Sequence, residues 1–262
     1  MNTTATPGEM PRIAFPRYFR FGRYWVNSYK VLMCVGFEVG IFTSAWLAEQ
    51  EGISPLRMGL GALGFALAGM LGARLYHLML HAGHYRKVAS WKELWNTREG
   101  GWGVQGALIT VVPLSFLFAA LLHLPAAKFW DFLSSGIVTG GFWIRMGCVF
   151  NGCCAGRETK SPLGICLHDT RWVRKRRIPV QFMEMGWWVL GMLGFFWLWP
   201  HHFAPGTYAL GVLGWYGLGR FWLEPLRESS DLIGGRVRIN QVIAAGLVLV
   251  GGGGILLRAW VG

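Results

Sequence analysis

The stretch Arg145-Met-Gly-Cys148-Val-Phe-Asn151-Gly-Cys153-Cys154-Ala-Gly156-Arg157 places two arginines, an amide and three thiols at the end of a long apolar run. An ionisable side chain inside a transmembrane segment costs roughly 2.5–3.5 kcal/mol on insertion scales, so its default reading is a functional site with a polar or anionic partner. Whether this stretch lies at membrane depth depends on the rest of the chain. Hydrophobic residues make up 53% of the 262 and charged residues only 15%, where a soluble domain carries roughly 25% charged residues. The chain therefore reads as an all-α polytopic membrane protein. It is expected to form a single membrane domain over residues 1–262, with a basic, interfacial segment at 1–28.

A helix needs about 20 apolar residues to cross the hydrocarbon core. Seven segments meet that requirement, near 30–49, 57–80, 104–124, 130–152, 180–200, 206–224 and 240–260. Met1 to Arg23 holds no apolar run long enough for a cleavable signal, so the first span is expected to serve as its own insertion signal. Gly251 to Gly254, inside the last span, reads as a surface for close helix packing rather than a binding element.

Cys34, Cys148, Cys153, Cys154 and Cys166 are odd in number and contain no C-x-x-C pair. Neither a disulfide framework nor a zinc site is announced, and no metal or other cofactor is expected. Cys34 reads as a small apolar packing residue. For Cys148, Cys153 and Cys154 three readings stand side by side: packing, a role in a reacting pocket, and metal binding.

The net charge of +12 is distributed unevenly. With the spans as drawn, all Lys and Arg except Arg57, Lys128 and Arg258 fall on one face of the membrane. The positive-inside rule would put that face in the cytoplasm; a second reading is that part of it binds anionic lipid headgroups, for which arginine offers a planar fork. The run Arg171 to Arg177 is expected to be solvated or to contact headgroups. Arg74, Arg145 and Arg220 each sit near the end of an apolar segment and are candidates for a converging phosphate site. Basic residues tied to membrane junctions are poorly arranged to follow a duplex, so nucleic acid is not an expected partner.

These residues, in this order, resemble the prolipoprotein diacylglyceryl transferases. That family consists of seven-helix bacterial membrane enzymes that move the diacylglyceryl group of phosphatidylglycerol onto the lipobox cysteine of a secreted precursor. The similarity runs from about Ser28 to Val250. Tyr29 with Leu32-Met33-Cys34-Val35-Gly36-Phe37 is similar to the family's first-helix tyrosine segment. Gly72-Ala73-Arg74-Leu75 resembles the end of its second helix, and Gly100-Gly101-Trp102-Gly103-Val104-Gln105-Gly106 its Gly-Gly-x-Ser-x-His-Gly loop. Asp131 stands fourteen positions before Arg145, and Arg145 to Arg157 resembles the signature block Gly-Arg-x-Gly-Asn-x-x-Asn-Gly-Glu-x-x-Gly-Arg. Pro179-Val180-Gln181 with Glu184, Gly219-Arg220 with Glu224 and Arg227, and Asn240-Gln241 complete the match.

Three positions depart from the family pattern. Gln105 replaces the loop histidine, Cys148 the signature asparagine and Cys153 the signature glutamate. Glutamine cannot take a proton, whereas histidine is the natural base for a thiol near neutral pH. His77, His81 and His84 are spaced to share one helical face; they read as interfacial polar residues or as a substitute base.

The resemblance implies a diacylglyceryl transferase of the bacterial plasma membrane, multi-pass, working on an anionic phospholipid and a lipoprotein precursor or another acceptor. It implies catalytic roles for Arg145, Arg220, Tyr29, Gln105, Cys148 and Cys153. A lipid-binding set follows: Arg74, Arg145, Asn151, Gly156, Arg157, Arg220, Glu224 and Arg227, with Glu224 read as orienting Arg220. It also implies an outward-facing N-terminus and catalytic face, against the direction of plain charge counting. Two alternatives remain: an enzyme on the same scaffold using Cys148, Cys153 or Cys154 on a different lipid or acceptor, and a non-catalytic lipid-binding subunit of a membrane complex.

Overall fold

The computed structural model describes residues 15–85, 104–228, 232–233 and 237–261. Among them are seven long helices: α1 (Ser28–Gln50), α2 (Pro55–Leu80), α3 (Val104–Leu121), α4 (Ala126–Asn151), α5 (Val180–Leu198), α6 (Thr207–Leu223) and α7 (Ile239–Val261). Each falls within a few residues of an apolar segment expected from the sequence. Ser28–Gln50, Pro55–Leu80, Ala126–Asn151 and Ile239–Trp260 are long and apolar enough to cross a membrane. Large apolar side chains such as Phe42, Leu67, Phe116, Leu249 and Trp260 are exposed along these and neighbouring helices, as a lipid-solvated surface requires. This is a helical membrane protein.

The chain divides into two compact units, one of residues 1–40 and 134–262 and one of residues 41–133. In the second unit Ser54 caps α2 and Pro55 occupies its first turn, where a missing N–H costs nothing. Gly72 and Gly106 let α2 and α3 approach closely: a Cβ on Gly106 would lie 2.4 Å from the Gly72 carbonyl oxygen and 2.2 Å from the Cβ of Tyr76. Phe129, fully buried, lies against Gly61. Trp130 donates its indole N–H to Ser115 Oγ at 3.0 Å and meets Phe65 edge-on.

In the first unit α1 crosses α4 at two glycine pairs. A Cβ on Gly36 would lie 2.9 Å from Gly140 O, and one on Gly40 would lie 2.9 Å from Gly136 O. The pairing of 36 with 140 and 40 with 136 is an antiparallel small-x-x-x-small crossing, a contact that gains packing without a hydrophobic driving force. Gly251 plays the same part between α7 and α6, its Cβ position 2.6 Å from Leu210 O, and Gly254 packs on Leu210; Gly252 and Gly253 face open space. The close-packing expectation for 251–254 thus holds at alternate ends of the run. Between α5 and α6, Trp187 and Trp215 stack with centroids 4.1 Å apart. Each indole donates to the other residue's carbonyl, at 3.0 and 3.1 Å, and each covers a glycine of the opposite helix, Gly219 and Gly191.

Among the described residues of this unit are three short antiparallel hairpins: β1 (Tyr18–Phe21) with β2 (Tyr24–Asn27), β3 (Ile165–His168) with β4 (Arg174–Arg177), and β5 (Leu232–Ile233) with β6 (Val237–Arg238). The first carries exposed Tyr18, Phe21, Tyr24 and Trp25 and is tied to α1 by Ser28, whose hydroxyl donates to Pro16 O at 2.6 Å.

Two sequence expectations are corrected here. Cys34 is exposed on α1 rather than packed; a thiol is apolar enough to face acyl chains. Arg177 does not belong to a solvated run. It is 1% exposed, because the acids that neutralise it come from distant points of the chain. Its guanidinium reaches Asp169 Oδ2 at 3.0 Å, Glu228 Oε2 at 2.7 Å and the Gly156 carbonyl at 3.3 Å.

Candidate active site

α4 ends at Asn151, and Gly152 (φ 71°) and Cys154 (φ 57°) then turn the chain back on itself. A Cβ at Gly152 would also lie 2.6 Å from Asp169 O, so both backbone and space call for glycine there. The turn gathers three thiols: the Sγ atoms of Cys148, Cys153 and Cys154 all lie within 4.8 Å of one another. Gln181 of α5 holds the loop by donating Nε2 to Cys153 O at 2.9 Å.

Residues 155–158 continue as an extended segment clamped from two sides. Arg157 N donates to Leu226 O at 2.9 Å, Ile178 N to Arg157 O at 3.0 Å and Glu228 N to Ala155 O at 3.1 Å. A Cβ on Gly156 would lie 2.1 Å from Ile178 O. The pairing of Gly156 with Arg227 brings the residues after α6 back to the end of α4. Arg177 fastens this arrangement from beneath. Burial pushes the Asp169 carboxyl up, and the hydrogen bonds from Val173 N and Arg171 N, at 3.0 and 2.9 Å, with the Arg177 and Arg171 charges, outweigh it. Together they hold the Asp169 carboxyl below its ordinary range.

Glu184 of α5, buried, is the hub of the charges. Arg145 Nη1 lies 3.2 Å from its Oε2, Arg220 Nη1 3.8 Å from its Oε1, and Arg227 donates Nη2 to Oε1. Glu224, one turn after Arg220 and 1% exposed, pairs with Arg220 Nη2 at 3.1 Å and lies 3.7 Å from Arg227 Nε. Asn240 of α7 donates to its Oε1 at 2.7 Å, and Arg238 to its backbone carbonyl at 2.8 Å. Three guanidiniums therefore share two carboxylates, leaving one formal positive charge in a water-poor setting. That excess suits a singly charged phosphodiester, and preoriented guanidiniums stabilise the extra charge of a departing phosphate.

The cationic cluster and the thiols are contiguous. Arg145 Nη1 lies 3.9 Å from Cys154 Sγ. Tyr29, at the start of α1, lies within electrostatic reach of all three thiols and Arg145.

Of the residues expected from the sequence, Tyr29, Arg145, Cys148, Asn151, Cys153, Gly156, Arg220, Glu224 and Arg227 are thus assembled around the end of α4. Arg157 contributes its backbone, and its side chain is exposed. Arg74 belongs to the other unit, where it is 1% exposed and its guanidinium lies 5.7 Å from the Tyr85 ring centre. Gln105 lies in the first turn of α3, and its side chain falls outside the described residues, as do Gly100 to Gly103 and the His84 side chain. His77 and His81 do share a face and stack at 4.3 Å.

Sequence reasoning assigned no role to Glu184. The signal was present: it is the sole charged residue in the 19-residue apolar helix α5, the same anomaly that drew attention to Arg145. Gln181 sits three residues earlier on the same face.

The model of one family, described as prolipoprotein diacylglyceryl transferase, matches residues 16–257. This protein belongs to the prolipoprotein diacylglyceryl transferase family. Among its relatives, a phosphatidylglycerol–prolipoprotein diacylglyceryl transferase of Thermosynechococcus vestitus is 27% identical over 239 residues, covering 87% of this chain and 86% of that protein. One from Hydrogenovibrio crunogenus is 28% identical over 252 residues, covering 90% and 91%. One from Tropheryma whipplei is 31% identical over 193 residues, covering 70% of each. The family match spans every element of the charge cluster. This member of the family is accordingly a membrane transferase of the diacylglyceryl type.

Proposed function

We propose that this transferase takes the diacylglyceryl group of phosphatidylglycerol and attaches it to a thiol, the lipobox cysteine of a lipoprotein precursor. The observation that carries the reading is the cluster of Arg145, Arg220 and Arg227 around Glu184 and Glu224 at the ends of apolar helices. Three guanidiniums that exceed their buried counter-ions by one charge suit the phosphodiester headgroup of an anionic lipid, whose acyl chains would lie along the exposed apolar helix faces. The names of the relatives supply both substrates.

In this reading Arg145 and Arg220 grip the phosphate and stabilise it as it leaves, while Arg227 supports them. Glu184 and Glu224 orient the guanidiniums, and Asn151, Gly156 and the Arg157 backbone shape the rim. Tyr29 faces the reacting carbon. Gln105 cannot accept a proton, so activation of the acceptor falls to the Cys148 and Cys153 region. All seven helices cross the bacterial inner membrane: α5 and α6, at 19 and 17 residues, are about 28 and 26 Å long, close to the roughly 30 Å of a hydrocarbon core. The N-terminus and the site face outward.

Purified protein in detergent, given phosphatidylglycerol labelled in its headgroup and a lipobox peptide, is expected to release glycerol phosphate and lipidated peptide in equal amounts. Arg145→Ala is expected to abolish both. Absence of transfer where a relative works under the same conditions refutes the proposal.

A further inference from the structure

The three thiols at the end of α4 adjoin the charge site and take no part in its ion pairs. Cys148 projects from the last turn of α4, and the left-handed turn at Gly152 and Cys154 brings the other two back to it, all Sγ within 4.8 Å. Tetrahedral zinc with bonds of about 2.3 Å to sulfur needs sulfur atoms roughly 3.8 Å apart. With separations no greater than 4.8 Å, reaching that spacing asks side-chain adjustment of Cys148 on the last turn of α4 and of Cys153 and Cys154 in the loop after it. The protein supplies no His, Asp or Glu as fourth ligand among the described residues, which matches metal sites that keep one position open for substrate. Arg145 Nη1, 3.9 Å from Cys154 Sγ, is placed to donate to a metal-bound thiolate. Gln181 fixes the Cys153 backbone from outside, as second-layer contacts do at metal centres.

We infer that Cys148, Cys153 and Cys154 bind one thiophilic d10 cation, zinc(II) or copper(I), whose open position takes the acceptor thiol and deprotonates it. The inference rests on the proposed function for its acceptor. It answers the chemical gap at Gln105, because a metal-bound thiol is deprotonated outright and needs no base. On coordination the acceptor S–H releases its proton to solvent. A sulfur lone pair then forms the C–S bond to the glyceryl carbon that carried the phosphate. The C–O bond to phosphate breaks, and glycerol phosphate leaves with that electron pair beside Arg145 and Arg220. Nothing is oxidised or reduced.

The test uses full-length protein, reduced and stripped of metal under argon, titrated with cobalt(II), with zinc(II) and with copper(I). Cobalt is expected to produce thiolate charge-transfer absorption that saturates at one per chain. That absorption should vanish in Cys153→Ala and Cys154→Ala variants that elute as the parent protein does, and persist in Cys34→Ala and Cys166→Ala. A lipobox peptide should intensify it, and a peptide with serine in place of its cysteine should not. Elemental analysis of the protein before stripping, read as zinc or copper per chain, identifies the native cation. Reloading stripped protein with that cation is expected to raise transfer about a hundredfold, in line with the usual worth of acid–base activation. Absence of cobalt uptake, uptake that survives loss of Cys153 and Cys154, or no response to the thiol peptide overturns the inference. Transfer at an equal rate in stripped and loaded protein overturns it too, while leaving the transferase reading intact. Cobalt uptake with a thiol response but no transfer in any metal state refutes that reading instead.

Discussion

Replacing Glu184 by Gln keeps the size and shape of the side chain and removes one negative charge from the hub of the cluster. Three guanidiniums, Arg145 at 3.2 Å, Arg220 at 3.8 Å and the directly bonded Arg227, would then share Glu224 alone, and the formal charge of the group would rise from +1 to +2. Glu184 is buried, so water cannot take over its role. Losing one partner of a buried ion pair costs about 3–5 kcal/mol. For a protein of this size each kcal/mol moves the unfolding midpoint by about 2–4 °C, so the apparent midpoint should fall by about 6–20 °C. If the cluster holds a lipid phosphate, an added anion should restore part of what was lost. Phosphatidylglycerol should therefore raise the midpoint of Glu184→Gln more than that of the parent, and a zwitterionic lipid should not. Intrinsic fluorescence from the Trp-rich helices follows unfolding directly, in detergent with each lipid at equal mole fraction. A variant that melts with the parent, or one that phosphatidylglycerol and zwitterionic lipid protect equally, would show that Glu184 is not the counter-ion hub of an anion site.

Gly156→Ala should cost most of the transfer activity, since its Cβ would meet Ile178 O at 2.1 Å and pry apart the segment that aligns Arg227; an active, normally stable variant would contradict that pairing. Gly140→Leu should prevent a monodisperse species in size-exclusion chromatography, because even a Cβ there lies 2.5 Å from Gly36 O, whereas Gly252→Ala, facing open space, should elute as the parent does. The Asp169 carboxyl has its folded pKa held below the ordinary value. Its contribution to stability is therefore present above the unfolded value of about 3.9 and is lost as pH falls through the lower folded one. Limited proteolysis of the β3–β4 hairpin should accelerate only in that acid window, and Asp169→Asn should remove the pH step and leave the hairpin cut readily throughout.

Much of the helical order was legible because a membrane makes the signal simple: each crossing needs an apolar run of fixed length, and all seven runs returned as helices. The arginines of the site were legible for the same reason, charge in an apolar segment being costly enough to demand a purpose. Glu184 carried the same signal, but its role depends on three arginines that reach it only once the helices pack. Arg177 was misjudged for a different reason. Its neighbours in sequence are basic and solvated, and the acids that bury it, Asp169 and Glu228, are set eight residues before it and fifty-one after it.

By itself, the sequence determined the class of the protein, its helices and the residue types of its site. Hydrophobic length, the cost of isolated charge and the spacing of the signature block are properties of segments, readable one segment at a time. Which charge neutralises which, and that Cys148, Cys153 and Cys154 meet, were decided only by the tertiary structure. Glu184 reaches Arg145, Arg220 and Arg227 across three helix ends, and the thiols converge through the left-handed turn at Gly152 and Cys154. Ion pairing and metal-ligand geometry depend on distances of a few ångströms between atoms far apart in the chain, and such distances exist only once the helices have packed.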